Sequence, residues 1–335
     1  MPRPAAPALR DRALQDRALR NQAIGTTAVA ALPQPGLLQG GSALPAWIAP
    51  PGGIAFALVA FLLLAGQDAT IKLLSASLAL PLILAVRSVA ILGVCFTLGG
   101  RRPFRAVWRS PVRWLLVGRG LIGLGAWTAY FTAARSLPLG QVAAFQFLAP
   151  LMVVLAAGWM LGEASSLRHR LLVLLGTVGA LISGGSLGFS LQPALLLAAT
   201  AAVLWAYAML LTRRIARTEG ALVQLVSTHL LFIAVMGPLA LLSPVPPAAA
   251  DLPLLMLVAL LGGAGQLALY SAARSLPAPI MAPLEYTSLL WNFTFGYMIW
   301  RNTPGPAIVV GAMLIAVSCA GLLHGRWISN RAASR

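Results

Sequence analysis

Apolar runs of about 20 residues, the length of a helix that crosses the ~30 Å hydrocarbon core of a bilayer, follow one another along this chain. Only 9% of the residues are charged, against about 25% in a soluble domain. The runs lack the alternation of membrane β-strands, and a helix satisfies its own backbone groups in lipid. The sequence therefore predicts an all-α membrane protein with ten transmembrane helices, at residues 54–74, 80–98, 114–134, 138–160, 169–187, 192–212, 221–242, 252–273, 278–300 and 305–323.

The formal net charge of +17 is spread between the spans and does not form one basic face, so no nucleic-acid partner is expected. Lys and Arg collect in the cytoplasmic loops of membrane proteins. With ten spans and a cytoplasmic N-terminus, nineteen arginines lie inside, whereas the outer loops hold only Arg135 and Arg301. This bias predicts a protein of the bacterial-type inner membrane with both termini in the cytoplasm.

A short motif occurs twice, as "TAARSLP" at 132–138 and as "SAARSLP" at 271–277, with an offset of 139 residues. The same offset maps the first predicted span onto the sixth, the third onto the eighth and the fourth onto the ninth. Because five spans is an odd number, the second half must enter the membrane from the opposite side. The sequence therefore predicts two inverted five-helix repeats, at 53–187 and 191–324, as in many secondary transporters.

The two ends of the chain differ from these repeats. Residues 1–52 are basic and rich in Pro and Gly, which predicts a disordered cytoplasmic tail, and residues 325–335 form a second basic tail. Both cysteines, Cys95 and Cys319, fall within apolar spans, so neither a disulfide nor a metal site is expected. The chain carries no HExxH motif, Asp-rich metal motif or phosphate-binding loop. We therefore expect no enzyme activity, cofactor or metal.

Three stretches carry a resemblance to a known family: "FTAARSLPLGQVAAFQFLAPLMVVLAAGWMLGE" (131–163), "GTVGALI" (176–182) and "APLEYTSLLWNFTFGYMIW" (282–300). They resemble the drug/metabolite transporter superfamily, in particular its EamA-type ten-helix members, over residues 50–325. The first repeat ends on the "LGE" that is typical of the family, whereas Asn302 stands where a Glu is common in the second repeat. "APLEYTSLLW" is similar to a branch that includes S-adenosylmethionine carriers.

Five charged residues lie within the predicted spans: Asp68, Lys72, Arg87, Arg119 and Glu285. Each costs about 2.5–3.5 kcal/mol if it stays unpaired in lipid. The depth of each residue in the membrane follows from about 1.5 Å per residue, counted from the end of its span. Asp68 and Arg87 then lie at similar depth in an outer layer, and Arg119 and Glu285 at similar depth in an inner layer. These pairs either stitch helices together or line a substrate path. A spare cation could receive a carboxylate, or the carboxylates could receive a cation or a coupling proton.

Three uncharged side chains complete the predicted substrate-binding or gating set. Gln146 is chosen because the 139-residue offset superposes it on Glu285, and Tyr286 and Trp291 because they lie near the charged layers. The other aromatic and amide residues near these layers, and the lone His229, are interpreted as helix packing. Gly321 and Gly325 form a GxxxG pattern, which leaves a homodimer open.

Together these features predict a secondary transporter of small polar metabolites, such as amino acids, organic acids or S-adenosylmethionine-like compounds, that works by alternating access. Its partners would be the small-molecule substrate, membrane lipids and a possible coupling proton. The alternative is a flippase of lipid-linked substrates or a membrane scaffold that transports nothing.

Overall fold

A computed structural model describes residues 52–137, 142, 145–163, 165–183, 193–243, 245–301 and 305–333, with the side chains of 308 and 322–333 excepted. The predicted tail at 1–52, apart from Gly52, and Asn302 lie outside this part of the chain. Within it there is no strand. The helices are α1 Gly53–Leu74, α2 Leu80–Gly99, α3 Arg102–Arg109, α4 Arg113–Ser136, α5 Leu148–Leu161, α6 Leu167–Ser183, α7 Pro193–Ala216, α8 Ala221–Leu241, α9 Leu252–Ser275, α10 Ala278–Met281, α11 Thr287–Trp300 and α12 Pro306–Ala333.

Five segments of the described chain are long and apolar enough to cross a membrane by themselves, namely α1, α2, α7, α8 and Ala249–Ser275, which includes α9. Leu148–Leu161 and Val309–Gly321 are shorter apolar helices. The ten longer helices form two groups of five along the chain. The predicted all-α membrane fold of two five-helix repeats is thereby confirmed.

The predicted span 278–300 is not one continuous α-helix. It consists of α10, a 3-10 turn at Ala282–Tyr286, and α11. Pro283 lacks the backbone N–H that the interior of an α-helix needs, which accounts for the break, whereas Pro279 lies in the first turn, where proline is tolerated. A 3-10 segment rises about 2.0 Å per residue instead of 1.5 Å. Glu285, in this turn, therefore lies deeper than the count along a regular helix predicts.

Helices of one half pack mainly on helices of the other half, in reciprocal pairs. α1 packs on α9, and the equivalent α7 packs on α4. Likewise α1 contacts α11 as α7 contacts α5, while α2 packs on α8 and α6 on α12. This exchange of partners is what a pseudo-twofold relation between the two repeats requires.

Glycines allow the closest helix contacts. A Cβ on Gly179 of α6 would lie 2.8 Å from the carbonyl oxygen of Gly311 on α12, so these two backbones touch. Small residues at such crossings are the usual means of packing helices in lipid. Gly321 faces Leu172 of α6 in the same chain, where a Cβ would lie 2.9 Å from the leucine side chain. Packing within one chain therefore accounts for Gly321, and the homodimer stays a prediction.

Candidate functional site

A central cavity of about 640 Å³, a volume that includes its opening, lies between the two halves of the bundle. The first half lines the cavity from α1, α4 and the segment before α5. The second half lines it from α7, the 3-10 turn and α11. Both repeats therefore contribute to one internal site.

Two acidic side chains, Asp68 of α1 and Glu285 of the 3-10 turn, face this cavity. Asp68 accepts a hydrogen bond from Gln67 Nε2 at 3.2 Å. The indole of Trp205 and the carboxamide of Gln146 lie close to the Glu285 carboxyl group. Glu285 Oε2 nevertheless has no hydrogen-bond partner in the described structure. Neither acid forms an ion pair with a described basic residue, since the two ion pairs there both involve Glu163.

Two further polar atoms on the cavity wall are buried without a hydrogen-bond partner among the described residues: Trp205 Nε1 and Asn292 Oδ1. Buried polar groups are normally hydrogen-bonded, and leaving one unpaired costs about 1–3 kcal/mol. With Glu285 Oε2, three buried polar atoms without a hydrogen-bond partner therefore belong to residues that line the same cavity. This is the pattern of a site whose partner comes from a ligand.

Aromatic rings form most of the remaining wall. α4 supplies Trp127, Tyr130 and Phe131, and Phe61 and Phe147 come from α1 and the start of α5. Trp127 and Phe131 pack with ring centres 5.6 Å apart, and Tyr130 packs edge-to-face on Phe131. These rings hold one another in place, so the cavity wall is a packed aromatic surface.

Arg87 lies next to this wall but not on the cavity. It is fully buried on α2, and none of its three guanidinium nitrogens has a hydrogen-bond partner among the described residues. The guanidinium carbon lies 4.6 Å from the ring centre of Trp127, which is a cation–π distance. Arg87 and Asp68 are close enough to attract each other, yet they form no direct ion pair. Arg87 therefore supports the Trp127 side of the cavity without facing it.

The position of Arg87 depends on a glycine. A Cβ on Gly262 of α9 would collide with Gln67 Oε1 and would lie 2.6 Å from Arg87 Nε. Gly262 thus lets the α9 backbone approach both polar side chains closely.

Arg119 does not pair with Glu285, and that sequence prediction is wrong. Arg119 Nε donates to Thr212 Oγ1 at 3.0 Å and Nη1 donates to Thr228 Oγ1 at 2.5 Å. Its guanidinium carbon lies 4.6 Å from the Tyr270 ring centre. We call these four residues the Arg119 network. The depth count failed because it ignored the 3-10 turn before α11 and the direction in which each side chain leaves its helix.

A second set of hydrogen bonds adjoins the Arg119 network. His229 Nδ1 lies 3.0 Å from Ser88 Oγ, and its Nε2 lies 3.1 Å from Gln266 Oε1. Tyr270 also approaches Gln266, with 3.5 Å between hydroxyl and amide oxygens. His229 therefore joins α2, α8 and α9, which agrees with the interpretation of this histidine as a packing residue.

Tyr286, predicted as a site residue, packs away from the cavity. Its hydroxyl lies 2.7 Å from Thr177 Oγ1 and donates to the Val173 carbonyl oxygen at 3.1 Å. A Cβ on Gly176 would lie 2.6 Å from the Tyr286 ring, so the tyrosine fills a gap on α6. The structure therefore gives it a role in attaching the 3-10 turn to α6.

Trp291 and Lys72 do not line the cavity either. Trp291 is 37% exposed on the outer surface of α11, and Lys72 Nζ lies 5.0 Å from the ring centre of Trp300. Of the eight predicted site residues, the structure brings Asp68, Gln146 and Glu285 together at the cavity. A role of the other five in gating stays a prediction.

Sequence reasoning missed a cluster at the opposite end of α5. Glu163 Oε1 accepts hydrogen bonds from Arg213 Nε at 2.9 Å and from Arg217 Nη2 at 2.8 Å, and its Oε2 accepts from the Ala278 N–H at 2.7 Å. We call this the Glu163 cluster. It joins α5, the end of α7 and the second Arg-Ser-Leu-Pro corner, because Arg213 also donates to the carbonyl oxygen of Ala273. The "LGE" ending was the signal in the sequence.

The electrostatics of the Glu163 cluster favour the ionised acid. Partial burial by itself would raise the pKa of Glu163. The hydrogen bonds from Ala278, Arg217 and Arg213 outweigh that effect and hold the pKa below its ordinary value. Near neutral pH the cluster is therefore a set of ion pairs that connects the two halves.

Comparison with proteins of known structure supports the fold. A protein of known crystal structure superposes with a TM-score of 0.67 at 22% sequence identity, over 81% of this chain and 96% of the other. At this identity the similarity shows the shared fold alone.

Comparison with characterised proteins gives the family. The chain is similar to the pseudopaline exporter CntI of Pseudomonas aeruginosa, with 25% identity over 273 residues, or 81% of this chain and 95% of the relative. It is also similar to the riboflavin transporter of Rhizobium johnstonii, with 27% identity over 209 residues, or 62% and 67% of the two chains. The model of the EamA-like transporter family matches residues 51–185 and 192–323. These proteins are transporters and not enzymes, and the chain belongs to the EamA-like transporter family.

Proposed function

We propose that this protein is a secondary transporter that moves a small polar metabolite across the inner membrane by alternating access. The observation that carries the proposal is the central cavity, because three of its lining residues carry a buried polar atom without a partner: Glu285 Oε2, Trp205 Nε1 and Asn292 Oδ1. A transporter needs such a site because substrate must bind there and leave again. In a scaffold that binds nothing there, each unsatisfied polar atom would destabilise the fold without a compensating role.

Alternating access also requires one side of the site to be closed while the other is open. The cavity is lined near the C-terminal end of α4, by Trp127 and Tyr130. The Arg119 network lies near the N-terminal end of the same helix, where hydrogen bonds tie α4 to α7 and α8. With the N-terminus in the cytoplasm, as the arginine bias predicts, the cavity faces outward and the cytoplasmic side is closed.

The Glu163 cluster lies on the same closed side. It ties the end of α7 to the corner before α10, so opening the cytoplasmic side has to break the hydrogen bonds of Glu163 with Arg213, Arg217 or the Ala278 N–H. Rocking of one repeat against the other would exchange the closed and the open side.

The relatives named pseudopaline exporter and riboflavin transporter support a metabolite as the cargo. The direct test is uptake of a radiolabelled metabolite panel into proteoliposomes that contain the full chain, with and without a pH gradient. We expect saturable uptake of at least one metabolite, and its loss in Asp68→Asn and Glu285→Gln. Glu219→Gln, which changes an acid in the α7–α8 turn, is the matched control.

A gradient effect on the rate would identify the coupling proton. Movement of labelled lipid with no uptake of any solute would support the flippase alternative instead, and no movement of either would support a scaffold.

A further inference from the structure

We infer that the central cavity recognises a small organic cation, specifically a protonated amine attached to an apolar body. This inference rests on the proposed function, because it takes the cavity as the substrate site. It goes beyond that function by naming the charge and chemical class of the substrate.

The sign of the charge in the cavity is the first argument. Among the described residues that line it, Asp68 and Glu285 are acidic and none is basic. Of the two buried arginines nearby, Arg119 donates to Thr212 and Thr228, and Arg87 stacks on the Trp127 ring behind the wall with its guanidinium nitrogens unpartnered. Neither arginine lines the cavity. The structure thus leaves no lining cation to receive a carboxylate. A carboxylate substrate would therefore meet acceptor oxygens and no cation on this wall, whereas a protonated amine can donate to those oxygens.

The unpartnered atoms give the second argument. Glu285 Oε2 and Asn292 Oδ1 are hydrogen-bond acceptors without a donor among the described residues. An ammonium group carries N–H donors and positive charge, so it supplies what both atoms lack. The unpartnered donor on the cavity wall, Trp205 Nε1, lies close to the Glu285 carboxyl itself. The polar side of the site therefore favours a ligand that donates hydrogen bonds over one that accepts them.

The aromatic wall gives the third argument. Ring faces attract cations and also pack against apolar groups. Phe61, Tyr130, Phe131 and Trp205 surround the space next to the two acids. Arg87 already makes a cation–π contact with Trp127 in this wall. A wall of this kind offers contacts to both the amine and the hydrocarbon part of one molecule.

The test uses three probes that share one ring and differ in charge: 2-phenylethylamine, 2-phenylethanol and 3-phenylpropionate. Binding to the purified full-length protein is measured by isothermal titration calorimetry in detergent at pH 7. We expect saturable binding of the amine that is at least about tenfold tighter than that of the alcohol, and no saturable binding of the carboxylate. Equal or tighter binding of the carboxylate, or no binding of the amine, overturns the inference.

Variants locate the binding. Asp68→Asn and Glu285→Gln are nearly isosteric, and each should weaken amine binding by about tenfold while leaving alcohol binding within about twofold. Gln146→Glu places a third acid on the wall and should tighten amine binding, a gain that a misfolded protein cannot give. Glu219→Gln should bind as the wild type does. Unchanged amine affinity in all three cavity variants overturns the inference.

Transport measurements separate this inference from the proposed function. Uptake of 3-phenylpropionate but not of the amine into proteoliposomes would overturn the inference and leave the transporter function standing. Tight amine binding with no solute uptake in the whole metabolite panel would support the inference and overturn the transporter function.

Discussion

Gln146 and Glu285 are 139 residues apart, hold equivalent positions in the two repeats, and line the same cavity. The pseudo-twofold relation therefore brings an amide and an acid to one site. An exactly symmetric carrier would have the same group at both positions. The acid therefore lies on the side of the second repeat and the amide on the side of the first. Exchanging the two groups is the most direct test of the cavity.

Exchanging the acid and the amide between positions 146 and 285 should largely restore the amine binding that Glu285→Gln alone weakens. Glu285→Gln alone is expected to weaken amine binding by about tenfold. Adding Gln146→Glu returns one acid to the wall across the pseudo-twofold axis, so the double variant should recover most of that loss. Calorimetric titration of the two variants and the wild type measures the recovery. A double variant as weak as Glu285→Gln would mean that the two positions are not equivalent.

Gly262→Ala should disturb the cavity from outside. The added methyl group collides with Gln67 Oε1 and lies too close to Arg87, which is itself stacked on Trp127. Such overpacking typically costs about 1–3 kcal/mol, and here the displaced groups adjoin the cavity. We expect a lower thermal midpoint and weaker amine binding.

Gly93→Ala, on the same helix as Arg87, is the control for this change because a Cβ there meets no atom within 4 Å. Gly93→Ala should behave as the wild type. Equal effects of the two substitutions would show that close contact with Arg87 is not the cause.

Glu163→Gln should lower stability in a pH-dependent manner. The pKa of Glu163 is below its ordinary value of 4.5, so its contribution is fully present above about pH 4.5 and disappears as the pH falls through the lower folded value. At pH 7 the variant should be less stable by about 1–3 kcal/mol. Thermal midpoints of both proteins between pH 7 and pH 3 should converge at the acid end. A constant difference across that range would contradict the charged state of Glu163.

Arg119→Gln and Glu285→Gln should act independently of each other. Arg119 bonds to Thr212 and Thr228 and not to Glu285, so the effects on the free energy of unfolding should add within about 0.5 kcal/mol. The free energies of unfolding in SDS of the wild type, both single variants and the double variant form a double-mutant cycle that measures the coupling. A larger coupling energy between Arg119 and Glu285 would support the ion pair that was predicted from depth alone.

Membrane topology can be tested with reporter fusions. Fusions after residues 100, 165, 216 and 335 should report the cytoplasm, and fusions near 136, 189 and 247 should report the outside, because the arginine bias orients the spans. A reporter outside at residue 216 would contradict the inverted arrangement of the two halves.

The architecture could be predicted from the sequence because its causes are visible there. Spans of about 20 apolar residues reveal membrane helices whatever their neighbours are. The 139-residue offset revealed the repeat and also selected Gln146 as the partner of Glu285. Both residues line the cavity.

The charge pairing could not be predicted in the same way. Depth along a helix does not tell which neighbour a side chain faces, and the 3-10 turn before α11 changed the depth of Glu285 as well. Tyr286, next to Glu285 in sequence, leaves the turn on the other side and packs on α6. Glu163 finds its arginines 50 and 54 residues away, a distance that only the packing of α5 on α7 can close.

The charged residues of the Glu163 cluster are not repeated in the sequence of the other half. Shifting by 139 residues places Asn302 opposite Glu163, and Leu74 and Leu78 opposite Arg213 and Arg217. Under the proposed alternating access, the cluster stabilises the form closed to the cytoplasm, so we expect the empty protein to favour that form. Half-saturation concentrations measured from the two faces must then differ. The final concentration ratio across the membrane is unaffected, because an unequal resting population changes rates and not the equilibrium set by the driving gradient.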